Sequence, residues 1–296
     1  MTNFSGSTTA MITPFKGQGG EDGVDYVALA KFIDWQIEQG TNGLVPCGTT
    51  GESATTTHDE HDEIIKFTIK QTAGRVGVMA GTGSNSTREA ISMSVHAEKN
   101  GADALLIVAP YYNKPTQEGL YQHFKAINDA VGIPVIVYNI PGRSVVNISD
   151  DTMKRLFELK NIKGIKDATG DLSRIEAIKP FLPEGFTYLG GDDGYALDFN
   201  KRGAIGTISV TSNIAPKLIS EMQALSLKGE AAGAQAIQDK LAPLHDAMFC
   251  ETSPGPVKYA AKLLGLCDGS LRLPMVEIAD SSKAKVENAL KNLNLI

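Results

Sequence analysis

Cysteine is scarce in this chain: three residues among 296, Cys47, Cys250 and Cys267, are too few and too scattered for a disulfide framework. None forms a CxxC pair or stands at metal-ligand spacing from a histidine, so reduced, mostly buried thiols are expected. Basic residues are also in deficit, with 28 Lys and Arg against 34 Asp and Glu and a net charge of −6. That balance disfavours nucleic acid as the main partner, because neutralising phosphates takes clustered cations, and it points to a small molecule instead. Long apolar runs are missing as well. Ala104–Ala109 is among the longest, whereas a helix needs about 20 apolar residues to cross a bilayer. The first basic residue is Lys16, so no charged leader region is evident, and a cytoplasmic protein without a membrane segment is expected.

What the chain does contain, 42% hydrophobic and 21% charged residues with 30 glycines, suits a globular enzyme with a large core. Short β-branched or apolar runs alternate with longer stretches of helical periodicity, the pattern of a parallel α/β fold. Eight strands are predicted: Thr8 to Thr13, Gly43 to Pro46, Val76 to Ala80, Asp103 to Val108, Pro134 to Tyr138, Ile162 to Lys166, Phe186 to Gly190 and Ala204 to Ser209. Leu120, Phe124, Ile127 and Val131 form the clearest helical stripe and should pack on the sheet. Thr57-His58-Asp59-Glu60 and Ser86-Thr87-Arg88-Glu89 match the capping-box pattern of helix starts, and Gly40, Gly74, Gly101 and Gly132 stand where helices should end. Eight βα units with short loops favour a closed (β/α)8 TIM barrel over a doubly wound sheet. From about Asn213 onward only helical stripes remain, including Ile237, Leu241, Leu244 and Met248. The expected organisation is a barrel over residues 1–228 with a small C-terminal helical appendix over 229–296.

Active sites of such barrels form at the C-terminal ends of the strands, and here those ends are polar and glycine-rich. Lys166 ends the sixth strand, and strand alternation places it on the side of Ile162 and Gly164. If that side is the barrel interior, desolvation lowers the amine's pKa from about 10.4 toward the range of a working nucleophile, provided no carboxylate pairs with it. A lone lysine at a strand end is more often a snorkelling side chain, so its companions decide. Tyr138, at the mouth of the fifth strand, offers a phenol that can shuttle protons. Thr49 and Thr50 lie on a glycine-flanked turn with hydroxyls and backbone N–H groups suited to a carboxylate. Arg143 can fork onto a second carboxylate. No strand end carries a histidine pair; His58 and His61, with Asp59, Asp62 and Glu63 beside them, read as a solvated polar helix face, and no metal is expected. The glycine-rich turns lack both the Walker pattern and dinucleotide spacing, so no nucleotide cofactor is expected.

Across essentially its whole length the chain resembles the dihydrodipicolinate synthases, within the wider group that includes N-acetylneuraminate lyase. The resemblance rests on Gly48-Thr49-Thr50-Gly51-Glu52-Ser53, Pro110-Tyr111-Tyr112-Asn113-Lys114-Pro115, Tyr138-Asn139-Ile140-Pro141-Gly142-Arg143, Gly164-Ile165-Lys166-Asp167-Ala168-Thr169-Gly170 and Gly190-Gly191-Asp192-Asp193. It implies a pyruvate-dependent lyase without cofactor, in which Lys166 forms an imine with pyruvate and the derived enamine attacks aspartate semialdehyde, a step toward lysine and diaminopimelate. It further implies Tyr138 as proton shuttle, Thr49 as relay, and Tyr112 completing the relay from a neighbouring subunit of a homo-oligomer, commonly a tetramer built as a dimer of dimers. Thr50 would hold the pyruvate carboxylate and Arg143 that of the semialdehyde, with Gly191 and Ile208 lining the pyruvate pocket. Ser53, Ala54, His58, His61, Asn85, Glu89 and Tyr111 match the positions at which lysine binds as feedback inhibitor, although Glu89 also suits the acid of a capping box. One departure is Ser253, where members often carry Asn. Two alternatives stand beside this reading: a lyase or aldolase of N-acetylneuraminate or keto-deoxy-sugar acids sharing Lys166 and Tyr138, and a non-catalytic lysine-binding sensor.

Overall fold

The computed structural model describes residues 4–296. Eight parallel strands, β1 (Gly6–Ala10), β2 (Gly43–Val45), β3 (Gly77–Gly81), β4 (Ala104–Val108), β5 (Val135–Asn139), β6 (Ile162–Asp167), β7 (Thr187–Gly190) and β8 (Gly206–Ser209), pair in sequence order. β8 pairs with β1 to close the barrel. Helices α1 (Tyr26–Glu38), α2 (His58–Thr72), α3 (Thr87–Lys99), α4 (Gln117–Ala130), α5 (Pro141–Ser144), α6 (Asp150–Phe157), α7 (Ser173–Ile178), α8 (Ala196–Arg202) and α9 (Pro216–Leu227) alternate with the strands or follow the last of them. Three more, α10 (Ala231–Met248), α11 (Gly255–Leu263) and α12 (Asp280–Asn292), complete the chain and contact one another. The expected (β/α)8 barrel with C-terminal helices is the observed fold. Among the described residues no helix is long and apolar enough to cross a membrane.

Two apolar layers follow from the period-2 alternation of the strands. Val45, Met79, Ala104, Leu106, Ile136, Leu189 and Ile208 cluster inside the barrel, with Phe4 among them. Their sequence neighbours Leu44, Ala80, Leu105, Ile107, Val135, Val137 and Tyr188 belong to the layer between barrel and helices, where Leu120, Phe124 and Ile127 of α4 also lie. The stripe read on α4 therefore meets the barrel as expected.

Several local expectations need correction. The first strand runs over Gly6–Ala10 rather than Thr8 to Thr13. Past Ala10 the backbone leaves the ladder: the Ile12 amide donates to Asn213 Oδ1 at 2.9 Å, and Met11 and Ile12 bury their side chains in the outer layer. In β6 the register shifts by one residue, with Val135 opposite Ile162 but Ile136 opposite Gly164. This bulge flips Ile162 into the outer layer, so Lys166 shares its inward face with Gly164 and not with Ile162. The Thr57–Glu60 capping box is present in full. At the start of α3, Ser86 caps Glu89 N–H, but the Glu89 carboxylate turns instead to Ser84 Oγ at 2.7 Å. Gly40, Gly74 and Gly101 adopt the left-handed conformation of helix terminators, whereas Gly132 does not: α4 ends on Val131 in extended conformation.

The seam between β1 and β8 is tight because a side chain at Gly206 would stand 2.3 Å from the Gly6 carbonyl oxygen. Since that neighbour is backbone, Gly206→Ala must spread the closing strands. We expect it to lower the unfolding free energy by about 1–3 kcal/mol in urea denaturation; a change below about 0.5 kcal/mol would show slack in the seam.

Candidate active site

Lys166 sits one residue from the C-terminal end of β6, in register with Tyr138 on β5 and Leu189 on β7. Its neighbour in sequence is an acid, yet alternation points the two side chains to opposite faces of the sheet. Asp167 is directed outward and fully engaged: it accepts hydrogen bonds from Tyr188 Oη at 2.6 Å, Thr169 Oγ1 at 2.6 Å, Thr169 N at 2.9 Å and Arg174 Nε at 3.3 Å. Lys166 is directed inward, is 5% exposed, and has its Nζ 4.3 Å from the centroid of the Tyr138 ring. Burial lowers its pKa to about 8, opposed by the charge of Asp193 and assisted by that of Arg143. Asp193, buried in the loop after β7, accepts the Val210 and Thr211 amides on Oδ2 at 2.9 Å each, while its Oδ1 is buried without a hydrogen-bond partner. Gly191 makes the room: a Cβ there would lie 3.1 Å from Lys166 Cε and 2.8 Å from Ala168 Cβ.

Burial drives Tyr138 the other way, up to about 12, while Arg143 and a hydrogen bond with the Thr49 side chain oppose the rise. The phenol is therefore protonated and neutral at physiological pH. Thr49 and Thr50 belong to a compact turn after β2, closed by Gly51 N–H to Gly48 O and Glu52 N–H to Thr49 O, both at 3.1 Å. Thr13 Oγ1 donates to Gly51 O at 2.7 Å and ties the turn to the exit of β1. Thr50 is buried, and Ile208 faces the barrel interior. Arg143, on the short helix α5, is exposed but anchored, with one guanidinium nitrogen donating to Ser253 O at 3.2 Å.

A cleft of about 480 Å³ extends from this mouth. Thr49 and Arg143 line it together with Ser53, Ala54, His58, His61, Glu89 and Tyr111, whereas Lys166, Tyr138 and Thr50 are not among its lining residues. Asn85 is not among the lining residues; its carbonyl accepts from Asn113 Nδ2 at 2.9 Å. His61 is buried and uses Nε2 on Gly81 O at 2.8 Å, and burial lowers its pKa. His58 is solvated, with Nε2 3.8 Å from Glu89 Oε1. The polar-face reading thus fits His58 but not His61. Tyr112, with φ of 73°, is 88% exposed and does not line the cleft. No group of three metal-ligating side chains occurs among the described residues. Sequence reasoning missed Asp193, the outer network of Asp167, and the Ser253 carbonyl. The strand-end position of Asp192-Asp193 signalled the first; nothing local signalled the other two.

A closed barrel that holds a buried lysine, with no carboxylate in hydrogen-bond contact, near its C-terminal mouth beside a buried tyrosine has the arrangement of a candidate amine nucleophile. The chain belongs to the dihydrodipicolinate synthetase family, whose model matches residues 3–293. It is 58% identical, over 99% of its own length and 100% of the relative's, to the 4-hydroxy-tetrahydrodipicolinate synthase of Pelagibacter ubique. Its fold superposes at TM-score 0.96 and 47% identity on a crystal structure of the dihydrodipicolinate synthase of Acinetobacter baumannii complexed with pyruvate, covering 99% of this chain and 100% of that one. The enzyme of Cyanidioschyzon merolae with lysine bound superposes at TM-score 0.95 and 35% identity, covering 99% of both chains.

The lowered pKa of Lys166 makes its burial a cost to folding. An unfolded lysine titrates near 10.5 and the folded one near 8, so the cost is absent above pH 10.5, grows as pH falls toward 8, and is complete below it. Lys166→Met removes the charge at similar length. We expect an unfolding free energy at pH 7 raised by up to about 3 kcal/mol, with the gain fading between pH 8 and 10.5 and absent above that range; stability equal to the parent at pH 7 would mean that the amine is solvated.

Proposed function

We propose that this chain condenses pyruvate, held as an imine on Lys166, with L-aspartate 4-semialdehyde to form 4-hydroxy-tetrahydrodipicolinate, toward lysine and diaminopimelate. The observation that carries this reading is the buried, unpaired Lys166 with its pKa drawn down to about 8 beside Tyr138. The names of the relatives and the pyruvate complex of the Acinetobacter enzyme supply the substrate.

The neutral amine attacks C2 of pyruvate, and Tyr138 donates the proton with which the carbonyl oxygen leaves as water. Burial that keeps the phenol protonated suits it to this role, and Thr49, whose side chain opposes the rise in its pKa, resupplies the proton. Thr50 and the amides of its turn hold the pyruvate carboxylate. The iminium draws electrons from the methyl group, which gives up a proton to the Tyr138–Thr49 relay and becomes an enamine carbon, and that carbon attacks the aldehyde of the second substrate, whose carboxylate Arg143 grips. Attack of the substrate's own amine on the imine carbon then displaces Lys166 and closes the ring. Gly191 and Ile208 shape the pyruvate pocket. Tyr112 reaches the relay of a second copy of the chain in a homotetramer; its 88% exposure supports this, because a solvated aromatic ring on a strained backbone is otherwise unexplained. No cofactor or metal takes part.

Lysine is the proposed inhibitor, at Ser53, Ala54, His58, His61, Asn85, Glu89 and Tyr111. Support comes from the cleft that gathers all but Asn85 and from the lysine-bound Cyanidioschyzon enzyme. Freed from the capping role, the Glu89 carboxylate is available to a ligand ammonium group.

Borohydride added with pyruvate should leave a reduced pyruvyl adduct on Lys166, found by mass spectrometry and lost in Lys166→Ala. Arg143→Ala should keep the adduct while kcat/KM for the semialdehyde falls roughly 10- to 100-fold. Equal loss of both steps would contradict the division of roles, and no turnover of the parent with these substrates would sink the assignment. Glu89→Ala should raise the lysine concentration for half inhibition by roughly 10-fold or more at unchanged kcat; unaltered inhibition would remove Glu89 from the effector site.

A further inference from the structure

Glu52 closes the Thr49–Thr50 turn and is one of the least expected residues to be buried there. It carries a charge, adopts the left-handed conformation with φ of 55°, and its side chain is only 2% exposed. Both of its carboxylate oxygens are taken by the C-terminal part of the chain. Oε1 accepts from Lys258 Nζ at 2.6 Å and Oε2 from the Arg272 amide at 3.1 Å. Lys258, on α11, is fully buried; its remaining partners are Ser270 O at 2.5 Å and the face of Phe15 at 4.3 Å. The same C-terminal segment reaches the site a second time, since Ser253, just before α11, accepts the hydrogen bond of Arg143. The turn carrying Thr49 and the helix carrying Arg143 thus take their bearings from one stretch, residues 253–258.

A buried ion pair is a poor source of net stability, because desolvating both charges offsets most of their attraction. Its rigid geometry is what an apolar pair would lack. We propose that Glu52 and Lys258 are positioning residues, which fix the Thr49–Thr50 turn at the distance from Tyr138 that proton relay and carboxylate binding need. The inference rests on the function proposed above for that site.

Removing one partner strands a buried charge and confounds folding with function, so the test removes both. In Glu52→Gln/Lys258→Met the full-length protein should melt within a few degrees of the parent. With saturating pyruvate it should still give the borohydride adduct at Lys166, at a yield within about 2-fold. Its KM for pyruvate should rise and its kcat with semialdehyde fall, each roughly 10-fold or more. Glu52→Asp keeps both charges and therefore the fold, but reaches Lys258 only by displacing the turn; a kcat loss of roughly 5-fold at nearly unchanged Tm is expected. Parental kcat and KM in either folded variant overturn the proposal and leave a structural ion pair, and so does loss of the adduct in proportion to turnover. Failure of the parent itself to turn over the two substrates separates an error in the assigned function from an error here.

Discussion

An amine can be buried and reactive only where no carboxylate answers it, and the site is arranged around that constraint. A single acid within about 4–6 Å favours the ammonium form and moves a pKa by 1–3 units, enough to return Lys166 to its solution value. The nearest acid in sequence, Asp167, is disposed of by strand geometry and then occupied by Tyr188, Thr169 and Arg174. Asp193, whose charge opposes the fall, makes no ion pair with Lys166 and spends one oxygen on two backbone amides. What remains in contact is the face of Tyr138, which contributes no formal charge and is itself kept protonated by the same burial. Lowering one pKa and raising the other are a single desolvation effect acting on a base and an acid.

Features that depend on local periodicity were legible in the sequence. Strand alternation and the three-and-four spacing of apolar residues repeat within a few positions, so the eight βα units, the inward stripe of α4 and the strand-end position of Lys166 could be read directly. Errors fell where a local pattern met a distant constraint. Met11 and Ile12 look like strand residues, but Asn213, some 200 positions later, takes the Ile12 amide and turns the chain out of the ladder. The bulge in β6 leaves no compositional mark, yet it alone decides which face Ile162 joins. Ser86 and Glu89 have the spacing of a capping box, but Ser84 competes for the carboxylate. Tyr112 lies outside what one chain's cleft can explain.

The C-terminal helices carry no residue of the lysine–tyrosine pair and still brace its surroundings. Phe15, in the loop after β1, meets two cations of this region, Lys258 at 4.3 Å and Arg272 at 4.2 Å from its ring centroid. Arg272 goes on to fork onto Glu60, with contacts of 2.6 and 2.7 Å. Because Glu60 is also the acid of the α2 capping box, the segment from Glu52 through the first turn of α2 is clamped at both ends by one region of the chain. Ser53, Ala54 and His58 lie on that clamped segment, directly beyond the turn that carries Thr49. Bidentate and buried charge-assisted bonds hold such a loop far more rigidly than solvated contacts would, so it has few ways to move that leave the turn untouched.

Two lysines of this chain make the governing rule visible by contrast. Ile165-Lys166 and Val257-Lys258 are nearly the same dipeptide, and both side chains are buried. The strand end marks Lys166, but nothing within several residues of Lys258 announces its partner. Lys166 looks onto a neutral ring with no carboxylate paired to it, and desolvation leaves an amine with an available lone pair. Lys258 meets Glu52 at 2.6 Å and becomes a strut, its ammonium protons committed to a carboxylate and a carbonyl. The difference between the unpaired and the paired amine lies in an acid 206 positions from Lys258, brought in by the barrel's turn after β2. Burial sets the stakes for each lysine, and the placement of carboxylates by the fold decides the chemistry.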